Sequence, residues 1–139
     1  MAVLLKPIEL SKTNPASLPQ PIIYCESVPD TGIGFSLNIP LAKLLMTIKP
    51  NRRTIRLEQC LIQVLKQLPP DPVIRDIDVL FNPEYEADIL WLLASVGKNL
   101  PFRLLWPGKY ENGRLFYAEE GYRDYKAYDM NKYNVTCII

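Results

Sequence analysis

The chain predicts a single α/β domain: a small, mostly parallel sheet flanked by helices. Three observations carry this. Short apolar, β-type runs recur around residues 22–25, 73–81 and 102–106. Helical stretches with an apolar face, or apolar throughout, lie between them. Prolines and glycines punctuate the junctions. The order strand, helix, strand implies parallel pairing through a crossover. At 139 residues the chain has the size of one domain and can bury an ordinary core without staples.

Residues 1–21 read as an N-terminal arm or connector, because 11–21 (SKTNPASLPQP) are rich in proline and small polar residues. Residues 22–139 read as the α/β domain. Its first strand is 22–25, and a turn-rich stretch from Ser27 to Gly34 follows. The alternation in 35–39 predicts a second strand, and Pro40 suits the first turn of a helix over Leu41 to about Ile48 that Pro50 stops. From Thr54 to Leu68, apolar residues fall at spacings of three and four and predict an amphipathic helix. Prolines 69, 70 and 72 end it, and 73–81 reads as a buried strand interrupted by Arg75, Asp76 and Asp78. An apolar helix is expected over 83–96, then a buried strand over 102–106. Another strand, 114–118, follows the turn at Glu111-Asn112-Gly113. Residues 119–134 are polar and tyrosine-rich, and the β-branched end, 135–139, predicts a terminal strand packed in the sheet.

Composition narrows the chemistry. The 16 basic and 15 acidic side chains leave almost no net field for polyanions. The three cysteines form no CxxC pair, and without histidine no common zinc set can be assembled. Any acid or base would have to be a carboxylate, Lys, Tyr or Cys, which disfavours hydrolases and nucleases. No apolar run approaches a membrane span, and Lys6 and Pro7 interrupt the only apolar start, so a cytosolic protein with reduced thiols and no membrane partner is expected.

Four groups of residues invite a functional reading, each with a plainer alternative. Pro29 to Ser36 contains two glycines but lacks the Lys and the spacing of a phosphate loop, and reads more simply as a surface turn. Asp76 and Asp78 at the end of an apolar strand would share a face and could hold Mg²⁺; solvated charges, or a pairing with Arg75, are the simpler account. Lys49, Arg52, Arg53 and Arg56, with Lys43 and Lys66 nearby, make a basic patch able to touch phosphates, or merely to solvate a helix face. Tyr110, Arg114, Tyr117, Tyr122, Arg123, Tyr125 and Tyr128 have the composition of a protein-binding surface; internal packing of the same segment is the alternative.

The ordered segments Asp78-Val79-Leu80-Phe81-Asn82-Pro83, Asp88-Ile89-Leu90-Trp91-Leu92-Leu93, Gly97-Lys98-Asn99 and Trp106-Pro107-Gly108 are followed by Gly113-Arg114-Leu115-Phe116-Tyr117-Ala118-Glu119-Glu120-Gly121-Tyr122 and Asp124-Tyr125. In this order, over roughly residues 35 to 139, the chain resembles BrxF, the small P-loop ATPase-like component of BREX phage-resistance systems. Residues 36–45 are similar to that family's Leu-rich segment. The resemblance implies a P-loop NTPase-like scaffold in truncated form. The family's phosphate loop and its helix have no counterpart before Asn38, its acidic strand position falls on Arg75, and Lys98-Asn99 matches its S-R-N-R run only in part. The resemblance therefore implies a non-catalytic assembly or regulatory subunit that needs no cofactor and whose partners are other proteins of the same defence system. A small Mg²⁺-dependent phosphoryl-transfer or nucleic-acid-hydrolysing enzyme using Asp76 and Asp78, or a nucleotide-binding protein without hydrolysis, stands as the alternative.

Overall fold

The computed structural model describes residues 2–29 and 34–139. Six strands form one sheet in the spatial order β1-β9-β2-β5-β4-β3: β1 (Val3–Leu5), β2 (Ile22–Tyr24), β3 (Phe35–Ser36), β4 (Val73–Arg75), β5 (Arg103–Leu105) and β9 (Thr136–Ile138). Every pairing in it is parallel. Three further strands, β6 (Lys109–Glu111), β7 (Arg114–Tyr117) and β8 (Lys126–Asp129), form an antiparallel sheet inserted between β5 and β9.

A parallel sheet hides both faces, so its strands are apolar at successive positions rather than alternately. Ile22, Ile23 and Tyr24 are all buried, as are Thr136, Cys137 and Ile138. On one face Ile23, Ile74, Leu104 and Cys137 join the main core with α2 (Asn38–Met46), α3 (Arg53–Leu65), α4 (Ile89–Gly97) and the small sheet. On the other, Ile22, Tyr24 and Ile138 pack with Leu5, Leu10 and Leu18, brought there by the short helix α1 (Pro7–Ser11) and the chain that follows it.

Four expectations are corrected. The expected arm over 1–21 is, across its described residues 2–21, not loose, since Val3–Leu5 pairs in register with Thr136–Ile138 as the edge strand and Leu10 and Leu18 pack on β2. The second strand stops at Ser36 and α2 starts at Asn38, two residues before the proline, which sits in its first turn. The apolar run 73–81 is strand only to Arg75; Asp76 then takes a left-handed φ of 53°, and Asp78–Phe81 coil into a 3₁₀ turn that buries Leu80 and Phe81. Helix α4 begins at Ile89 instead of Pro83, where Asp88 Oδ1 accepts from the Trp91 N–H at 3.0 Å and caps it. The strands β6 and β8 were not anticipated, because exposed ribbon strands carry a weaker apolar signature than buried ones.

Candidate functional site at the carboxyl end of the sheet

In open α/β sheets, ligands bind beyond the carboxyl ends of the strands, and the acidic pair of this chain lies there. The turn after β4 carries both carboxylates, but they do not share a face. Ser36 Oγ donates to Asp76 Oδ2 at 2.7 Å, and the guanidinium of Arg75 ion-pairs with the same oxygen. Asp78 Oδ1 accepts from the Tyr117 hydroxyl at 2.8 Å and its Oδ2 from Asn38 Nδ2 at 3.2 Å. Asn38 Oδ1 in turn accepts from the Val79 N–H at 2.8 Å. The left-handed turn at Asp76, a conformation that Asp tolerates better than most residues, aims the two carboxylates at different partners. Each is engaged by protein donors, so the pair joins β3, α2, β4 and β7 instead of forming an open two-carboxylate cation site. Among the described residues no group of three or more His, Cys, Asp or Glu side chains is placed to hold a metal.

The tyrosines divide into two sets. Tyr117 and Tyr128 are buried, which corrects their assignment to a partner-binding surface, since neither ring is accessible while the fold stands. Tyr117 stacks on Phe81 with 3.8 Å between centroids, and Phe81 and Tyr128 both meet Trp106 edge to face. Trp106 Nε1 donates to the Phe116 carbonyl at 2.9 Å, and Tyr133 donates to Asp88 Oδ2 at 2.8 Å. These contacts tie the small sheet to the acidic stretch between β4 and α4. Arg114, Tyr122 and Arg123 are exposed, with Tyr110 and Tyr125 half-buried beside them; Tyr125 lies over Phe116.

Burial raises the ionisation of Tyr117 well above that of a free phenol, and the neighbouring Asp78 carboxylate adds to it. Burial, then a carboxylate, does the same for Tyr128 and Tyr133 through Asp88. A raised phenol keeps its proton in the folded state while the unfolded chain loses it, so its stabilising contribution is complete below about pH 10 and is lost as pH rises through the folded value. Denaturant midpoints should therefore fall steeply above about pH 10. Tyr117→Phe should flatten that fall while lowering stability near neutrality by about 1 kcal/mol, the usual worth of a hydrogen bond. An unchanged alkaline slope in the variant would show that Tyr117 titrates as a free phenol.

The basic residues gather at the corner between α2 and α3. Lys49, Arg52 and Arg56 are exposed, whereas Arg53 is half-buried with its Nε donating to the Ile48 carbonyl at 3.0 Å, which gives it a structural role. Arg56 Nη1 donates to Gln59 Oε1 at 3.1 Å. Of the glycine-containing turn 29–36, residues 30–33 lie outside the described residues. Its last glycine, Gly34, has a φ of 81°, and a Cβ there would stand 2.9 Å from the Val73 carbonyl oxygen, so close strand packing accounts for it. At the opposite, amino end of the sheet, an apolar groove of about 480 Å³ runs between Pro15, Leu65, Leu68, Pro70, Leu100 and Phe102.

Sequence reasoning located the two aspartates but not their pairing with Ser36, Asn38 and Tyr117. Each lies about 40 positions from its partner, and no local pattern announces such a pairing. No family model matches the chain, and neither the curated proteins nor the solved structures contain a match to it.

Proposed function

We propose that this chain is a non-catalytic, BrxF-like accessory subunit of a bacterial antiviral defence system, acting in assembly or regulation on a truncated P-loop NTPase-like scaffold. The family part of the reading rests on the resemblance of residues 35–139; what supports its non-catalytic part is the connection from β2 to β3. In a P-loop protein the strand before the phosphate cradle leads through a glycine-rich loop with its Lys into a helix. Here β2 ends at Tyr24 and β3 begins at Phe35, leaving residues 25–34, ten in all, to pass two intervening strands. A helix of average length alone would need about eleven residues. The segment also contains no Lys or Arg to neutralise phosphate charge. The engaged states of Asp76 and Asp78 lend further support and weigh against the Mg²⁺-dependent enzyme.

What such a subunit offers is surface. Arg114, Tyr122 and Arg123 stand on the inserted sheet and its loop, away from the aromatic contacts that hold it. Calorimetric titration with ATP and Mg²⁺ is expected to show no heat above dilution, and capture from a lysate expressing the neighbouring genes should recover defence proteins. The capture should weaken with Tyr122→Ala and Arg123→Ala while thermal midpoints hold. Heat on adding ATP without turnover would favour a nucleotide-binding protein. Steady hydrolysis abolished by Asp78→Ala would replace the proposal with the enzyme.

A further inference from the structure

We propose that the chain pairs with a second, identical copy through the outer face of the first turns of α3 and α4, as a two-fold dimer. The surface has an apolar centre between flanks of opposite charge. Ser95 Oγ donates to Glu58 Oε1 at 3.0 Å, fixing the height of α4 against α3. Both helices run back toward the amino ends of the parallel strands that follow them, so they are parallel to each other. Ile55 is three residues before Glu58 and Trp91 four before Ser95, which sets both side chains one turn higher at the same level. They are 82% and 61% exposed.

Charge divides around this centre. At about 100° per residue, Ile55 is turned about 60° from Glu58, the residue that meets α4, whereas Arg52 and Arg56 are turned about 120° and 160° in the same sense and so stand farther from α4. The α3 side of the patch is thus basic. From Thr31 to Leu57 there are five cationic residues (Lys43, Lys49, Arg52, Arg53 and Arg56) and no carboxylate. No ion pair among the described residues engages any of the five. The α4 side is acidic: Glu84, Glu86 and Asp88 lead into the helix and all are exposed.

A patch that is apolar in the middle, basic on one side and acidic on the other is complementary to itself under a two-fold rotation. The rotation lays each basic flank on the partner copy's acidic flank and buries Ile55 of each copy against Trp91 of the other. A strand of nucleic acid would satisfy the cations but would meet the carboxylates beside Trp91 with repulsion, which is why a second copy fits better. The inference does not depend on the defence reading.

Charge reversal tests it. At low salt the parent should sediment as a dimer, with Trp91 emission shifting to the blue as concentration rises. Arg52→Glu with Arg56→Glu, and separately Glu84→Lys with Glu86→Lys, should each weaken self-association by about tenfold or more, because each homodimer then opposes like charges. An equimolar mixture of the two variants should restore the dimer, because both contacts become attractive again. The altered side chains are exposed, and unchanged thermal midpoints would confirm intact folds. A parent that stays monomeric at about 100 µM would overturn the proposal. So would a dimer indifferent to both reversals, or a monomer whose basic flank responds only to an added single-stranded oligonucleotide.

Discussion

Replacing Leu93 with Ala is expected to lower the unfolding free energy by about 2 to 5 kcal/mol, the range for a cavity left in a packed interior. Helix α4 is apolar almost all round, and it buries Ile89, Leu90, Leu92, Leu93, Ala94, Val96 and Gly97. Leu93 is wholly inaccessible, and its neighbours are held by the sheet on one side and α3 on the other, so the site has little freedom to collapse. For a chain of this size the loss corresponds to a fall in thermal midpoint on the order of 10 °C. Urea titrations of parent and variant measure it directly. A midpoint within error of the parent would mean that Leu93 does not face the core.

Gly108→Ala should be comparably damaging for a different reason. An added Cβ would lie 1.7 Å from the Phe116 carbonyl oxygen and 3.0 Å from Trp106 Nε1, the two atoms joined by the hydrogen bond that closes the small sheet onto the large one. The obstruction is backbone, so no rotamer change relieves it, and β7 must move away from β5's exit. A loss of about 3 kcal/mol or more follows, at the upper end for forcing atoms into an occupied space. Gly113→Ala is the control. Nothing lies within 4 Å of its would-be Cβ, and only the φ of 77° opposes the change, at about 1 kcal/mol. Equal losses in the two variants would show that Gly108 matters for its backbone freedom and not for the contact.

Ionisation and packing converge on the same residues. Trp106, Phe81, Tyr117 and Tyr128 hold the inserted sheet through ring contacts, and the Tyr117 phenol, raised first by burial and then by Asp78, donates to that carboxylate. Asp78, which the sequence offered as one half of a possible Mg²⁺-binding pair, therefore stabilises the junction between two sheets. This use of a carboxylate needs only neutral donors within reach, and Asn38 and Tyr117 supply them.

By itself the sequence determined the α/β class of fold, the position of α3, the existence of an apolar helix through residues 89–96, and the burial of that helix and of Trp106. It also placed the last strand within the sheet. These depend on apolar periodicity and proline punctuation, which act over a few residues and can be read locally. Only the tertiary structure decided that residues 3–5 close an edge of the sheet, that the strand through Asp76 and Asp78 ends at Arg75, and which tyrosines are buried. The first depends on Thr136–Ile138 at the far end of the chain, the second on Ser36 and Asn38 about 40 residues earlier, and the third on the fold of the inserted sheet over Phe81 and Trp106. Such outcomes are set by which distant groups meet in space, where burial and hydrogen-bond satisfaction outweigh the local preferences that a sequence displays.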